Sequence, residues 1–124
     1  MIRGTGIDII EVARIRSMMR QHPRRFLERV FTPAEREYCR RFRNAAERFA
    51  ARFAAKEAAM KALGTGLSSG IAWTDIEVAH DAQGRPVILL TGEAAMVAAR
   101  LGVRRLHVSL SHVKEMAVAS IIAE

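Results

Sequence analysis

Two acids stand where acids are costly. Asp8 is flanked by Ile7 and Ile9 in a run that reads as a β-strand, so its carboxylate has to be solvated, paired with a base or holding a cation. Glu57 lies at the edge of the core stripe of a predicted long helix, and Lys61 follows it one turn later. An i,i+4 surface ion pair would account for Glu57 and Lys61 without any chemistry. Two carboxylates with no companion histidine or cysteine ligands also suit a hard, oxygen-loving cation such as Mg2+, which keeps several waters and is completed by a substrate's phosphates. The long helix runs out into Gly64-Thr65-Gly66, a turn whose backbone amides can approach phosphate, although glycine there also serves as an ordinary helix stop. In Leu106-His107-Val108-Ser109-Leu110-Ser111-His112, alternation places His107, Ser109 and Ser111 on one face, opposite Leu106, Val108 and Leu110. Those polar groups either bind phosphate or face water.

The elements that must hold these residues can be read from periodicity. Ile2 to Ile10 forms a strand, with Gly4 and Gly6 marking where another backbone comes close. A helix from Glu11 carries Val12, Ile15, Met18 and Met19 on its apolar side and stops at His22-Pro23. A short helical turn holds Phe26, Leu27 and Val30, and Thr32-Pro33-Ala34-Glu35 is a capping box with proline at the first helical position. The long helix spans about Asn44 to Leu63, with Phe49, Phe53, Met60 and Leu63 as its core stripe. A hairpin follows, Ile76 to Ala79 and Val87 to Leu90 around Asp81-Ala82-Gln83-Gly84. A helix from Glu93 to Leu101 then leads to closing strands Leu106 to Ser111 and Met116 to Ile122. The last strand is apolar on both faces, which predicts burial on both. The expected fold class is α+β, helices packed on one antiparallel sheet in a single domain spanning residues 1–124. Trp73 and Tyr38 are read as packing residues, and His80 as a solvated side chain beside the hairpin turn.

Composition bounds the rest. The chain has 124 residues, 50% of them hydrophobic, enough for a real core and too apolar for disorder. Its single cysteine, Cys39, allows no internal disulfide, and no apolar run approaches a membrane span, so a cytoplasmic protein with no membrane partner is expected. The net charge of +7 is uneven: Arg14 to Arg52 holds 12 arginines against Glu28, Glu35, Glu37 and Glu47. Such a segment attracts a polyanion: nucleic acid, anionic lipid or an acidic protein.

The order and intervals of several short motifs are more specific than any one of them. Gly6-Ile7-Asp8-Ile9 with Arg14, Phe31-Thr32-Pro33-Ala34-Glu35, Arg52-Phe53-Ala54-Ala55-Lys56-Glu57-Ala58-Ala59-Met60-Lys61-Ala62-Leu63-Gly64, Gly84-Arg85-Pro86 and Ser109-Leu110-Ser111-His112 closely resemble the holo-[acyl-carrier-protein] synthase family over nearly the whole chain. That family is the small bacterial type of 4'-phosphopantetheinyl transferase. The resemblance implies a compact trimeric enzyme that moves the 4'-phosphopantetheine arm of coenzyme A onto a serine of apo-acyl carrier protein, releasing adenosine 3',5'-bisphosphate. By position, it implies that Asp8 and Glu57 hold Mg2+ and that Lys61 reaches a phosphate oxygen. Lys61, Gly64, Gly66, Ser109 and His112 are implied as coenzyme A contacts, the nucleotide lying between subunits, and Glu57 acting through a water is the first choice of general base. The carrier, a small acidic protein, is implied to meet Arg14, Met18, Arg25 and Arg29. The competing reading is a non-enzymatic nucleic-acid-binding module built on the arginine-rich segment. It leaves Asp8 and Glu57 unexplained, and that segment carries no recognised nucleic-acid-binding motif. The enzyme reading therefore expects no nucleic-acid partner.

Overall fold

In the computed structural model, which describes residues Met1–Glu124, the chain order is β1 (Gly4–Glu11), α1 (Val12–Gln21), α2 (Pro23–Val30), α3 (Pro33–Arg40), α4 (Ala45–Leu63), β2 (Ile76–His80), β3 (Pro86–Leu90), α5 (Gly92–Leu101), β4 (Leu106–His112) and β5 (Met116–Ala123). Short 3-10 turns at Leu67–Ser69 and Trp73–Asp75 fill the α4–β2 connection. The α+β class is as expected. The strands, however, divide between two antiparallel sheets rather than one: a three-stranded sheet in the order β1-β5-β4, and the hairpin β2-β3 by itself. The hairpin lies beside β4 without pairing to it, and buried side chains of α3 and α4 bond its first strand.

Helix α4 is the centre of the molecule. Its alanines 50, 51, 54, 55, 58, 59 and 62 are all buried, together with Phe49, Met60 and Leu63, so the helix is wrapped nearly all round rather than along one stripe. Small side chains make this possible, because only short residues let neighbouring backbones close in on several sides at once. Strand β1 uses that closeness most. A Cβ at Gly4 would lie 2.2 Å from the carbonyl oxygen of Ala62, and one at Gly6 would lie 1.9 Å from that of Ala58. Only glycine fits at these crossings, as the strand pattern anticipated.

The expected capping box is present: Thr32 accepts from the Glu35 amide, and the Glu35 carboxylate accepts from the Thr32 amide at 2.9 Å. Glu35 has a second task that its spacing did not show. It is fully buried, accepts from Lys56 Nζ at 2.8 Å and takes the Val78 amide at 2.8 Å. Lys56, also wholly buried, spends its remaining donors on the carbonyls of Trp73 and Ile76. This pair therefore joins α3, α4 and the start of the hairpin. Nearby, Cys39 is fully buried, and burial pushes its thiol up to about 11.

The closing strand differs from expectation. Ala117, Ala119, Ile121 and Ala123 face α4 and are buried, whereas Ile122 on the alternate face is exposed. Cross-strand register puts Thr5, Ile7 and Ile9 of β1 on that same open face, opposite Ile122, Ser120 and Val118, with His107, Ser109 and Ser111 of β4 on the far side of β5. Ile7 and Ile9 are 63% and 62% exposed. The open face thus mixes exposed isoleucines with polar side chains, and within one chain only the opposite face is covered, by α4. His80 also departs from its reading as a solvated side chain: it is half-buried, lies 4.5 Å from the Tyr38 ring centre and contacts Arg52 at 3.2 Å. Burial and the adjacent guanidinium both lower its proton affinity.

Candidate active site

The glycine crossing of β1 over α4 decides where the acids meet. Alternation along β1 turns Gly4, Gly6, Asp8 and Ile10 toward α4, while Ile7 and Ile9 point away. Asp8 thereby escapes the apolar surroundings of its sequence neighbours and faces the helix edge that carries Glu57 and Lys61. Lys61 does not make the i,i+4 pair with Glu57. It reaches across to the strand, donating to the Ile7 carbonyl at 2.9 Å and to Asp8 Oδ1 at 3.2 Å. Glu57 holds its proton more tightly than an ordinary glutamate, first because it is partly buried and then because the Asp8 carboxylate is close; Lys61 and Arg14 oppose this. The Asp8 carboxylate beside the raised Glu57 makes a site that a cation would relieve.

The donor set is small and hard. Asp8 and the Ile7 carbonyl meet at Lys61 Nζ, with Glu57 within the field of Asp8, and no group of three or more His, Cys, Asp or Glu side chains that could hold a metal ion occurs in the chain. That fits a divalent ion which takes one or two carboxylates and fills its remaining positions with water and substrate phosphate. It does not fit a structural zinc site.

The residues expected to meet the carrier, Arg14, Met18, Arg25 and Arg29, also cluster, though not as a set apart. Met18 and Arg29 line an apolar groove of about 490 Å³ with Arg14, Ile10, Phe26 and Phe53, and Arg25 and His22 border an adjoining hollow. Arg14 therefore belongs to both places, one side to the groove and the other to the field of Glu57. Phe53, expected in the core stripe, is only partly buried and stacks on Trp73 at 4.9 Å, so both rings form the groove wall. That role follows from Phe53 lying one turn before Glu57, a signal present in the spacing but absorbed into the stripe.

Of the residues expected at the nucleotide, Gly64 and Gly66 follow Lys61 at the end of α4, whereas Ser109 and His112 stand on β4 and on opposite faces of it. Gly64 ends α4 in the left-handed conformation, φ +69, three residues beyond Lys61, and Gly66 follows in extended backbone. Ser109 lies on the open sheet face, whereas His112 lies on the opposite one and bonds Glu47 through Nδ1 at 3.0 Å. Glu47 and Lys61 are fourteen residues apart on α4, about 21 Å along its axis. Arg52 belongs to the arginine-rich segment but is 3% exposed; it donates to the Arg48 carbonyl, lies over the Tyr38 ring, and leaves Nε buried without a partner.

A model of the 4'-phosphopantetheinyl transferase superfamily matches residues 4–119. The holo-[acyl-carrier-protein] synthase of Koribacter versatilis is 56% identical over 124 residues, covering 100% of this chain and 99% of that protein. The crystal structure of the holo-[acyl-carrier-protein] synthase from Neisseria meningitidis superposes with a TM-score of 0.91 at 31% identity, over 100% and 99% of the two chains. That from Bacillus anthracis, in complex with CoA (3',5'-ADP), superposes at 0.81 and 40% identity, over 100% and 97%.

Proposed function

The chain belongs to the 4'-phosphopantetheinyl transferase superfamily, and we propose that it moves the 4'-phosphopantetheine arm of coenzyme A onto a serine of apo-acyl carrier protein with Asp8, Glu57 and Lys61 as its working groups. In this reaction the serine oxygen bonds to the phosphorus bearing the pantetheine arm, the pyrophosphate bridge at that phosphorus breaks, and adenosine 3',5'-bisphosphate leaves. Phosphoryl transfer asks the protein mainly to position groups and to neutralise charge. Asp8 and Glu57 hold a divalent cation, Mg2+ in the present reading, which when bound polarises the pyrophosphate and stabilises the leaving group. Lys61 turns its ammonium to a phosphate oxygen. Glu57 receives the serine proton through a water. Arg14, Met18, Arg25 and Arg29 receive the acidic carrier: guanidinium groups for its carboxylates, and the groove beneath them for an apolar side chain.

The observation that carries this reading is the meeting of Asp8, Glu57 and Lys61 across a strand–helix crossing that admits no side chain at Gly6. The separation of Ser109 and His112 from that meeting point supports a site completed between copies, with the open isoleucine face of the three-stranded sheet as the contact that forms a homotrimer. No helix is long and apolar enough to cross a membrane, and the single reduced thiol fits a cytoplasmic address. The test is a mass spectrum of apo-carrier protein incubated with coenzyme A and this protein, with and without Mg2+. The expected result is a mass gain of one phosphopantetheine arm only with the metal, lost in Asp8→Ala. Metal-independent turnover would refute the assignment, and a fully active monomer by light scattering would refute the trimer.

A further inference from the structure

We propose that Lys61 is a resident stand-in for the metal: in the free protein its ammonium holds the cation place of Asp8, and the divalent ion can enter only as Lys61 leaves for the incoming phosphates. The proposal rests on the reading of Asp8 and Glu57 as the metal pair. The geometry favours this rank of partners. Lys61 passes over its own helical neighbour Glu57 and reaches the strand, where Nζ bonds both the Ile7 carbonyl and Asp8 Oδ1. Those are oxygens of the kind a hard cation takes. Its side chain is 55% exposed on a flexible stem, so it can leave without breaking the core, whereas the Asp8 side chain is 19% exposed and fixed on a strand.

Charge gives the direction of the effect. With both carboxylates ionised, Lys61 leaves the trio at a net −1, and Arg14 adds a second cation within reach of Glu57. A divalent ion arriving alone meets an ammonium already on its ligand and is repelled by it. The same ion arriving with the substrate's pyrophosphate brings negative charge for the ammonium to follow. Metal and coenzyme A should therefore bind cooperatively, with Lys61 as the coupling element.

The experiment titrates Mn2+ into the full-length protein and reads the free hydrated ion by electron paramagnetic resonance, with and without coenzyme A. No turnover is needed. Lys61→Met should tighten Mn2+ binding in the absence of coenzyme A by about tenfold, since a like charge is removed from beside the ligand. It should also shrink the gain in Mn2+ affinity that coenzyme A gives the unaltered protein. Lys61→Gln, which keeps a polar side chain, should behave the same way, and Lys114→Met, at an exposed position, should change neither quantity. Equal or weaker Mn2+ binding in both Lys61 variants would overturn the stand-in role while leaving the metal pair intact. If Asp8→Asn left Mn2+ binding unchanged, the metal pair would fall, and the stand-in role with it.

Discussion

A methyl group at Gly6 should disable the site without touching any polar atom in it. A Cβ built there lies 1.9 Å from the Ala58 carbonyl oxygen and 2.9 Å from the Ala58 carbonyl carbon and the Ala62 amide nitrogen. All three atoms belong to helix backbone, so no neighbour can rotate away. Opening the 1.9 Å approach to an ordinary 3.4 Å contact requires β1 to retreat from α4 by about 1.5 Å. Asp8 is two residues along the strand, and Glu57 and Lys61 each precede one of the crowded alanines, so the retreat falls directly on the distance between the acids. Overpacking of this kind costs about 1–3 kcal/mol, or about 5–15 °C in melting temperature for a domain of this size. Misplacement by about 1 Å costs on the order of 10²-fold in rate. Gly6→Ala should therefore fold, melt earlier and lose turnover by about that factor, measured by thermal melting and by mass-spectrometric transfer to apo-carrier. Gly102→Ala is the comparison: its φ of +73 imposes left-handed strain, about 1–2 kcal/mol, but its nearest neighbours are the flexible guanidinium atoms of Arg3, remote from the acids. It should melt earlier and keep its turnover. Full activity in Gly6→Ala, or equal loss in Gly102→Ala, would refute the argument that the crossing sets the site.

Glu57→Gln should raise the melting temperature at neutral pH in metal-free buffer while abolishing turnover. The folded-state value of Glu57 lies above the ordinary 4.5, so ionising it opposes folding: stability is lost as pH rises from the ordinary value through the raised one, and glutamine removes that loss above the window. A variant that melts lower at pH 7 but not at pH 4 would contradict this sign. Arg25→Glu should raise the Michaelis constant for carrier and flatten its salt dependence with coenzyme A binding unchanged, whereas Arg14→Glu should impair both, because Arg14 also faces Glu57. Equal effects of the two reversals on coenzyme A would refute that division. Lys56→Met should cost about 3–5 kcal/mol, since Glu35 would be left buried with no cation beside it; chemical denaturation measures it, and a loss under about 1 kcal/mol would refute the role of the pair in joining α3 and α4 to the hairpin.

Much of the fold was legible because local chemistry and final structure agree. The Thr32–Glu35 box, the glycine spacing of β1 and the glycine stop after Leu63 each act over a few residues, and each is found where it was read. The meeting of Asp8 with Glu57 came from the resemblance, since nothing local links two residues 49 positions apart. What escaped was long-range or lies on the sheet face that one chain leaves open. The second task of Glu35 depends on Lys56, 21 residues on, and two charged side chains do not announce that they will be buried together. Ser109 and His112 were grouped as one contact although their odd and even positions assign them to opposite faces of β4; the motif prevailed over the alternation. The two apolar faces of β5 were read correctly, but burial on the second face requires a surface that one chain does not possess.

Cys39 gives the protein an internal clock. It is the chain's single thiol, closed off from solvent in α3, with its proton affinity pushed up to about 11. At pH 8 only about one molecule in a thousand would carry the thiolate even if a reagent could reach it. Alkylation must therefore wait for the helical layer to open and expose an ordinary thiol. In the limit where reclosing outpaces labelling, the modification rate reports the population of opened molecules, with no added probe and no mutation. Anything that binds only the closed form, whether coenzyme A, carrier or another copy of the chain, should slow that clock in proportion to its occupancy.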